Sequence, residues 1–423
     1  MIRVYISKCV FNLTGVWLMF IARQPIFSKT MEVFGYELLF RSGSDSKGFD
    51  GVSSSHATAS VIGGLFEAGI DRIVDNKRAF INFDASFISS DLPELIESHR
   101  LIIEVLEDVT VDDILLDRIK ELKQKGYRIA LDDFVEDYDA YPLVPLADII
   151  KYDLIATPLD TIKKEVIKAK KQNKLLLAEK IETEAEFNQA KDMGFDLFQG
   201  YFFSKPSIVG KPNSKSTTKI QYGRIISELK KEEPSYQLLA EIIEKDVNLA
   251  YRLMRIISTR SGDDLVYSIK RALTYLGLKE IERWINILMI QDLGENKPKE
   301  LMILSLVRTK FAEMIAAKAK LSKLKHEASM MGLFSTIDAM LDQTMAVALE
   351  DVSLPQSIID SLVKNEGVLM PIYNLVIAYE KGDWEKAEFL AYNMQLSEDS
   401  LFDAYMDAVN WSRDTVSLMY LKS

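Results

Sequence analysis

The sequence predicts an α/β barrel of the TIM type followed by an all-α domain, and three observations carry that prediction. Six short apolar runs recur down the first half, each ending in a polar residue: Ala79 to Asn82, Leu101 to Glu104, Ile129 to Asp133, Ile149 to Lys151, Leu175 to Glu179 and Leu197 to Gln199. The steps from Asn82 to Glu104, Asp132, Lys151, Glu179 and Gln199 are 22, 28, 19, 28 and 20 residues. Each step is the length of one strand, one crossover helix and two loops. After Pro206 the alternation stops and helical spacing takes over.

Residues 1–18 read as a loosely held extension. The apolar run from Val10 to Ala22 is interrupted by Asn12, Thr14 and Gly15, is too short to span a bilayer and lacks a small-residue cleavage site. The barrel is assigned to 19–208. Within it Tyr36, Leu38 and Phe40 alternate with Glu37, Leu39 and Arg41, which is the period of a strand. Thr110 with Asp113, and Thr183 with Glu186, read as helix starts. Residues 209–219 close a stretch rich in Ser, Lys, Thr, Gly and Pro, as a linker would. The helical domain is assigned to 220–423. Leu238, Leu239, Ile242, Ile243 and Val247 recur at helical spacing, Gly382, Asp383 and Trp384 form a turn and cap, and Ser397 caps the last long helix.

Composition narrows the setting. The chain has 423 residues, 48% apolar and 27% charged, which suits a two-domain globular protein. A net charge of -11 with no basic stripe argues against DNA or RNA as a partner. The single cysteine, Cys9, cannot form an internal disulfide, which suits a cytoplasmic protein with no membrane span.

In such barrels the active site lies where the strands end, so polar residues at strand after strand read as one shared site. Glu37, Asn82, Glu104 and Asp132 supply hard oxygen donors, and Asp133 can serve a neighbouring ion. That set favours Mg²⁺ or Mn²⁺ over zinc, and the whole chain has only three histidines. Lys151 beside carboxylates and metals can orient or deprotonate an attacking water. Two divalent ions clamping a phosphoryl group point to phosphodiester hydrolysis. A single one of these carboxylates would read as a solvated strand end, but a barrel has no packing need for so many polar groups on one rim. The lysines from Lys163 to Lys174 read as a solvated helix face, and Met330, Met331, Met340 and Met345 as core. His56 and His99 are assigned nothing, and His326 reads as a surface or packed residue rather than a metal ligand.

GYELLFR, INFDASF, IIEVLED, ALDDF, IIKYD, AEKIE and QGYFFSKP resemble, in order and spacing, the motifs of the EAL family of bacterial cyclic di-GMP phosphodiesterases, over roughly residues 20 to 208. QPIF, from Gln24 to Phe27, fits that family's first strand. The resemblance implies that Glu37, Asn82, Glu104 and Asp132 hold a first metal ion, with Asp132 and Asp133 turned toward a second. It implies catalytic roles for Lys151, Glu179, Asp133 and Gln199, substrate contacts from Arg41, Gln24 and Asp153, and a loop-steadying role for Glu107. Departures are visible. The loop VEDYDAYPLVP, from Val135 to Pro145, has none of the glycines usual there, Leu38 stands where the family has alanine, and Lys180 replaces a glycine.

The second half, from about Tyr222 to Trp384, resembles the HDOD domain, a relative of metal-dependent HD phosphohydrolases that has lost its metal site. Ser335 and Thr336 stand about where an HD doublet would fall, and two hydroxyls cannot replace it. The resemblance implies a protein partner for this half and a barrel that pairs in a homodimer. The expected function is hydrolysis of cyclic di-GMP to linear pGpG by the EAL-type barrel, coupled to the HDOD-type helical domain. The alternative is a silent scaffold that binds cyclic di-GMP or only partner proteins. An unrelated glycosidase ranks below both, since it leaves Lys151, Asn82 and the Asp132–Asp133 pair without roles.

Overall fold

A computed structural model describes residues 19–42, 70–205, 217–246, 249–253, 268–294, 297–350, 352 and 354–420. The expected extension 1–18 and residues 209–216 of the expected linker lie outside the described residues.

Eight strands close into a barrel in sequence order: β1 (Met19–Ser28), β2 (Val33–Ser42), β3 (Arg78–Phe83), β4 (Leu101–Val105), β5 (Arg128–Leu131), β6 (Ile149–Asp153), β7 (Leu175–Glu179) and β8 (Leu197–Gln199). All six polar strand ends of the sequence pattern fall on β3 to β8 or the residues just beyond them. One feature departs from a regular TIM barrel: β1 runs antiparallel to both β2 and β8. Residues 29–32 alone join β1 to β2, and four residues can close a hairpin but cannot carry a crossover helix.

The period of two explains what the barrel encloses. On successive strands an apolar inward residue is followed two positions later by a polar one: Phe80 and Asn82, Ile102 and Glu104, Ala130 and Asp132, Ile149 and Lys151, Leu177 and Glu179, Leu197 and Gln199. On the reversed β1 the order is inverted, Gln24 before Ile26. The apolar members, with Ile26, form a dry floor of fully buried side chains. The residues between them, Ile81, Ile103, Leu131, Ile150, Ala178 and Phe198, face the surrounding helices and belong to the main core.

The helix Asp113–Gln124 is capped by Asp112, whose side chain accepts from the Leu115 amide, two residues beyond the cap expected at Thr110. The helix Glu184–Met193 carries the expected capping box of Thr183 and Glu186. The second half is helical, and its first helix, Thr217–Leu229, already begins within the stretch assigned to the linker. Asp383 caps Trp384–Asn393 and Ser397 caps Glu398–Tyr420, as expected. Met331 and Met340 are buried core residues.

The helical half packs on the outer face of β1 and β2. Tyr36 of β2 donates its hydroxyl to Glu300 Oε2 at 2.9 Å, and the Arg23 amide of β1 donates to the Tyr405 hydroxyl at 3.3 Å. Gly382 sits against Leu39 so closely that a Cβ there would lie 2.9 Å from Leu39 Cδ1. Its φ of +67° also suits glycine. No helix among the described residues is long and apolar enough to cross a membrane.

Candidate active site at the barrel mouth

The polar inward residues converge on Lys151, which is fully buried. Its Nζ lies 2.6 Å from Asp132 Oδ1, 2.7 Å from Glu104 Oε1, 3.0 Å from Glu179 Oε1 and 3.7 Å from Glu37 Oε1. Four carboxylates against one ammonium leave three negative charges when all are ionised. Burying that imbalance is costly without a further cation. The contacts are also poorly aligned. Lys151 Nζ, both oxygens of Glu104 and Asn82 Oδ1 are buried without hydrogen-bond geometry to any described partner.

The remaining groups orient this centre. Glu37 accepts from Gln199 Nε2 at 2.5 Å and from Asn82 Nδ2 at 3.4 Å, and Gln199 Nε2 also donates to Gln24 Oε1 at 3.1 Å. Gly200 follows Gln199 with φ +145°, and a Cβ there would lie 2.1 Å from the Ile181 carbonyl oxygen. Glycine therefore lets β8 approach the loop after β7. Asp133 is half-buried beside the centre with φ +36°. Oxygens of Asp132, Asp133 and Glu179 lie within 4.8 Å of one another, an arrangement that can hold a metal ion.

Electrostatics follow from burial. Burial pushes the Glu104 carboxyl well above the usual range, with Lys151 opposing and Glu37 and Asp132 adding to the rise. Glu179 is pushed up to about 8 by burial, against the pull of Lys151 and with the help of Glu37 and Asp132. Asp133 is raised by burial and by Asp132. Burial alone would lower Lys151, but its carboxylates outweigh that and hold it well above its ordinary value, so the ammonium stays charged.

The donor set fits a hard divalent cation. It consists of carboxylate and amide oxygens, three of them buried with no hydrogen bond, around a net negative centre. Glu37, Asn82, Glu104 and Asp132 are the residues that would hold one ion, with Asp132, Asp133 and Glu179 beside a second position.

Most residues expected at the site meet there, and some do not. Asp153 lies at the rim, where it accepts from Lys180 Nζ at 2.7 Å and from the Ile155 amide at 2.8 Å. Lys180, with φ +56°, also stands 4.0 Å from Asp133. Gln24 reaches the site through Gln199. Arg41 lies on β2, but its side chain is outside the described residues. Glu107, expected to steady the loop, lies on the turn after β4. Its side chain is exposed and has no hydrogen bond or ion pair among the described residues. The glycine-free loop after Asp133 is braced by rings. Phe134 packs against Tyr138, Tyr141 and Tyr152, and the Tyr138 hydroxyl donates to Gln172 Oε1 at 2.9 Å.

Sequence reading passed over Arg23, Tyr36 and Glu300, which sit directly behind Gln24 and Glu37. The strand alternation was the available signal for Tyr36, since it places that ring on the face opposite Glu37. In the helical half, Ser335 hydrogen-bonds to the Gly332 carbonyl and accepts from Arg308, and Thr336 is buried. Arg308 in turn makes a bidentate pair with Glu380, both bonds at 2.7 Å.

A family model described as the EAL domain matches residues 19–206, and one described as the HDOD domain matches residues 218–352. The uncharacterized protein YuxH of Bacillus subtilis is 33% identical over 404 residues, 93% of this chain and 97% of that protein. The cyclic di-GMP phosphodiesterase CdgJ of Vibrio cholerae is 31% identical over 400 residues, 93% of this chain and 92% of that protein. A crystal structure of the Bacillus subtilis YkuI protein, with an EAL domain, in complex with substrate c-di-GMP and calcium, is 21% identical. It covers 63% of this chain and 73% of that one, with a TM-score of 0.36.

Proposed function

The chain belongs to the family of EAL-domain proteins that carry an HDOD domain behind the barrel, and from that premise we propose that it hydrolyses cyclic di-GMP to linear pGpG with two divalent cations, Mg²⁺ or Mn²⁺. One observation carries the reading: the barrel mouth gathers four carboxylates around a single buried lysine, with Glu104 and Asn82 oxygens lacking hydrogen bonds. CdgJ, a cyclic di-GMP phosphodiesterase, matches this chain across both halves.

Divalent cations, when bound, supply polarisation of the phosphoryl oxygens and offset the negative charge of the transition state. The rest falls to the chain. Lys151, charged and fixed among carboxylates, donates toward the attacking water and orients its oxygen. Glu179, once cation binding has displaced its own proton, accepts the proton that the water loses as its oxygen bonds to phosphorus. The bond from phosphorus to the 3′ oxygen breaks in line, and that oxygen takes up a proton from solvent. Gln199 and Asn82 hold Glu37 in place, while Asp153 fixes Lys180 at the rim, where its ammonium meets a phosphate. Arg41 is assigned to substrate phosphate on the resemblance. A protein partner for the helical half and a homodimer belong to the same proposal.

The test is incubation of the full-length protein with cyclic di-GMP and Mn²⁺ or Mg²⁺, with products separated by chromatography and Glu37→Ala as control. Linear dinucleotide that vanishes in the control is the expected result. No product from folded protein with metal in excess would sink the proposal in favour of a silent scaffold.

A further inference from the structure

Three of the contacts between the helical half and the barrel bracket one side chain. Glu37 sits on β2 between Tyr36, whose hydroxyl donates to Glu300, and Leu38 and Leu39, the second of which is pressed by the turn at Gly382. Across the hairpin Glu37 is paired in register with Gln24, and the neighbouring Arg23 is held through its amide by Tyr405. The Arg23 guanidinium lies 4.4 Å from the centre of the Tyr36 ring and donates to the Ile73 carbonyl. These contacts come from three separate helical-half segments: the helix Lys299–Lys318, the turn before Trp384–Asn393 and the helix Glu398–Tyr420.

The chemistry of the contact is specific. Glu300 is 5% exposed and Tyr36 2% exposed, so a carboxylate has been buried at the joint, where it accepts the Tyr36 hydroxyl and faces the charge of the Arg23 guanidinium. An apolar pair would pack a joint without that desolvation cost. Because alternate strand residues face opposite ways, fixing Tyr36 from outside fixes the direction in which Glu37 points inside. A cavity of about 50 Å³ lies between the two layers and is lined by Gln24 and Gln199 on the barrel side and by Glu300, Arg308 and Tyr405 on the helical side. The groups that orient Glu37 thus border the same space as the groups that dock the helical half.

We propose that Glu300, acting through Tyr36, is a positioning residue for Glu37, so that the affinity of the barrel for divalent cations is set by how the helical half is docked. The inference rests on the reading of Glu37 as a metal ligand. Metal sites respond to the partners that orient their ligands, and losing such a partner weakens binding by roughly 10- to 100-fold. A partner molecule that shifts the helix Lys299–Lys318 would, by the same route, change turnover without touching the substrate.

The test compares Mn²⁺ affinity, measured by calorimetry on the full chain, with thermal unfolding of the metal-free protein. Tyr36→Phe removes only the hydroxyl, Glu300→Ala removes the acceptor, and Glu300→Gln keeps an acceptor in place. Asp292→Asn is the control, since Asp292 pairs with Arg252 within the helical half and away from the barrel. Expected is a weakening of Mn²⁺ binding by roughly 10-fold in Tyr36→Phe and Glu300→Ala, near-normal binding in Glu300→Gln, and unchanged binding in Asp292→Asn despite lowered stability. Wild-type affinity in Tyr36→Phe and Glu300→Ala would overturn the proposal. So would an equal weakening in Asp292→Asn, which would mark a general loss of stability. Absence of Mn²⁺ binding in the wild-type protein would instead overturn the metal site on which the inference stands.

Discussion

Each half of the molecule buries a charge cluster, and the two clusters are built on opposite terms. In the helical half Arg308 meets Glu380 in a bidentate pair, with Ser335 on its third nitrogen, so charge is balanced and donors are aligned. In the barrel Lys151 faces four carboxylates, charge is unbalanced, and oxygens of Glu104 and Asn82 lack hydrogen bonds. The balanced cluster behaves as a joint between helices. The unbalanced one is a binding site that folding alone does not satisfy. What separates them is not burial, since Arg308 and Lys151 are both buried, but whether the protein supplies the counter-charge itself.

The comparison breaks most readily at the joint. Glu380→Ala should leave Arg308 buried and uncompensated and cost about 3–5 kcal/mol, read from urea unfolding of the metal-free protein. A loss under about 1 kcal/mol would reduce the pair to a surface-like contact. In the barrel the sign should reverse. Glu104→Gln removes one excess negative charge whose ionisation is opposed by burial, so the metal-free protein should gain stability, of order 1 kcal/mol, while turnover falls by roughly 10²- to 10³-fold. Destabilisation by that variant would show that the cluster is held for structure. The smallest effect is one of pH. With no ion bound, Glu179 keeps its proton up to about pH 8, so a cation must displace it at neutral pH. Mn²⁺ affinity should therefore rise as pH climbs toward 8, by at most about tenfold per unit for one released proton, and level off above it. Calorimetry at three pH values in two buffers of different ionisation enthalpy would detect the proton, and a flat profile would contradict the assignment.

The site was legible in the sequence because a strand of period two writes its inward face in every second letter. Asn82, Glu104, Asp132, Lys151, Glu179 and Gln199 each close an apolar run, and the structure brings all of them to one mouth. The reversed β1 was not legible as reversed, because direction depends on the four-residue turn from 29 to 32 and not on the strand's own letters. Nor was the Tyr36–Glu300 contact, which joins residues 264 apart in sequence. A glutamate in the first turn of a helix reads as a solvated residue in favourable contact with the helix dipole, and only tertiary packing buries it. Glu107 stands differently: its role is carried over by motif position alone, and its side chain is exposed after β4.

The dry floor also governs traffic. Among the described residues, Ile26, Phe80, Ile102, Ala130, Ile149, Leu177 and Leu197 close the lower end of the barrel, which leaves the mouth as the way in. Whatever arrives at Lys151 leaves by the route it came, past Asp153 and Lys180. A departing product and an incoming substrate then share one doorway, and the rim side chains bear on the rate of release as well as of entry.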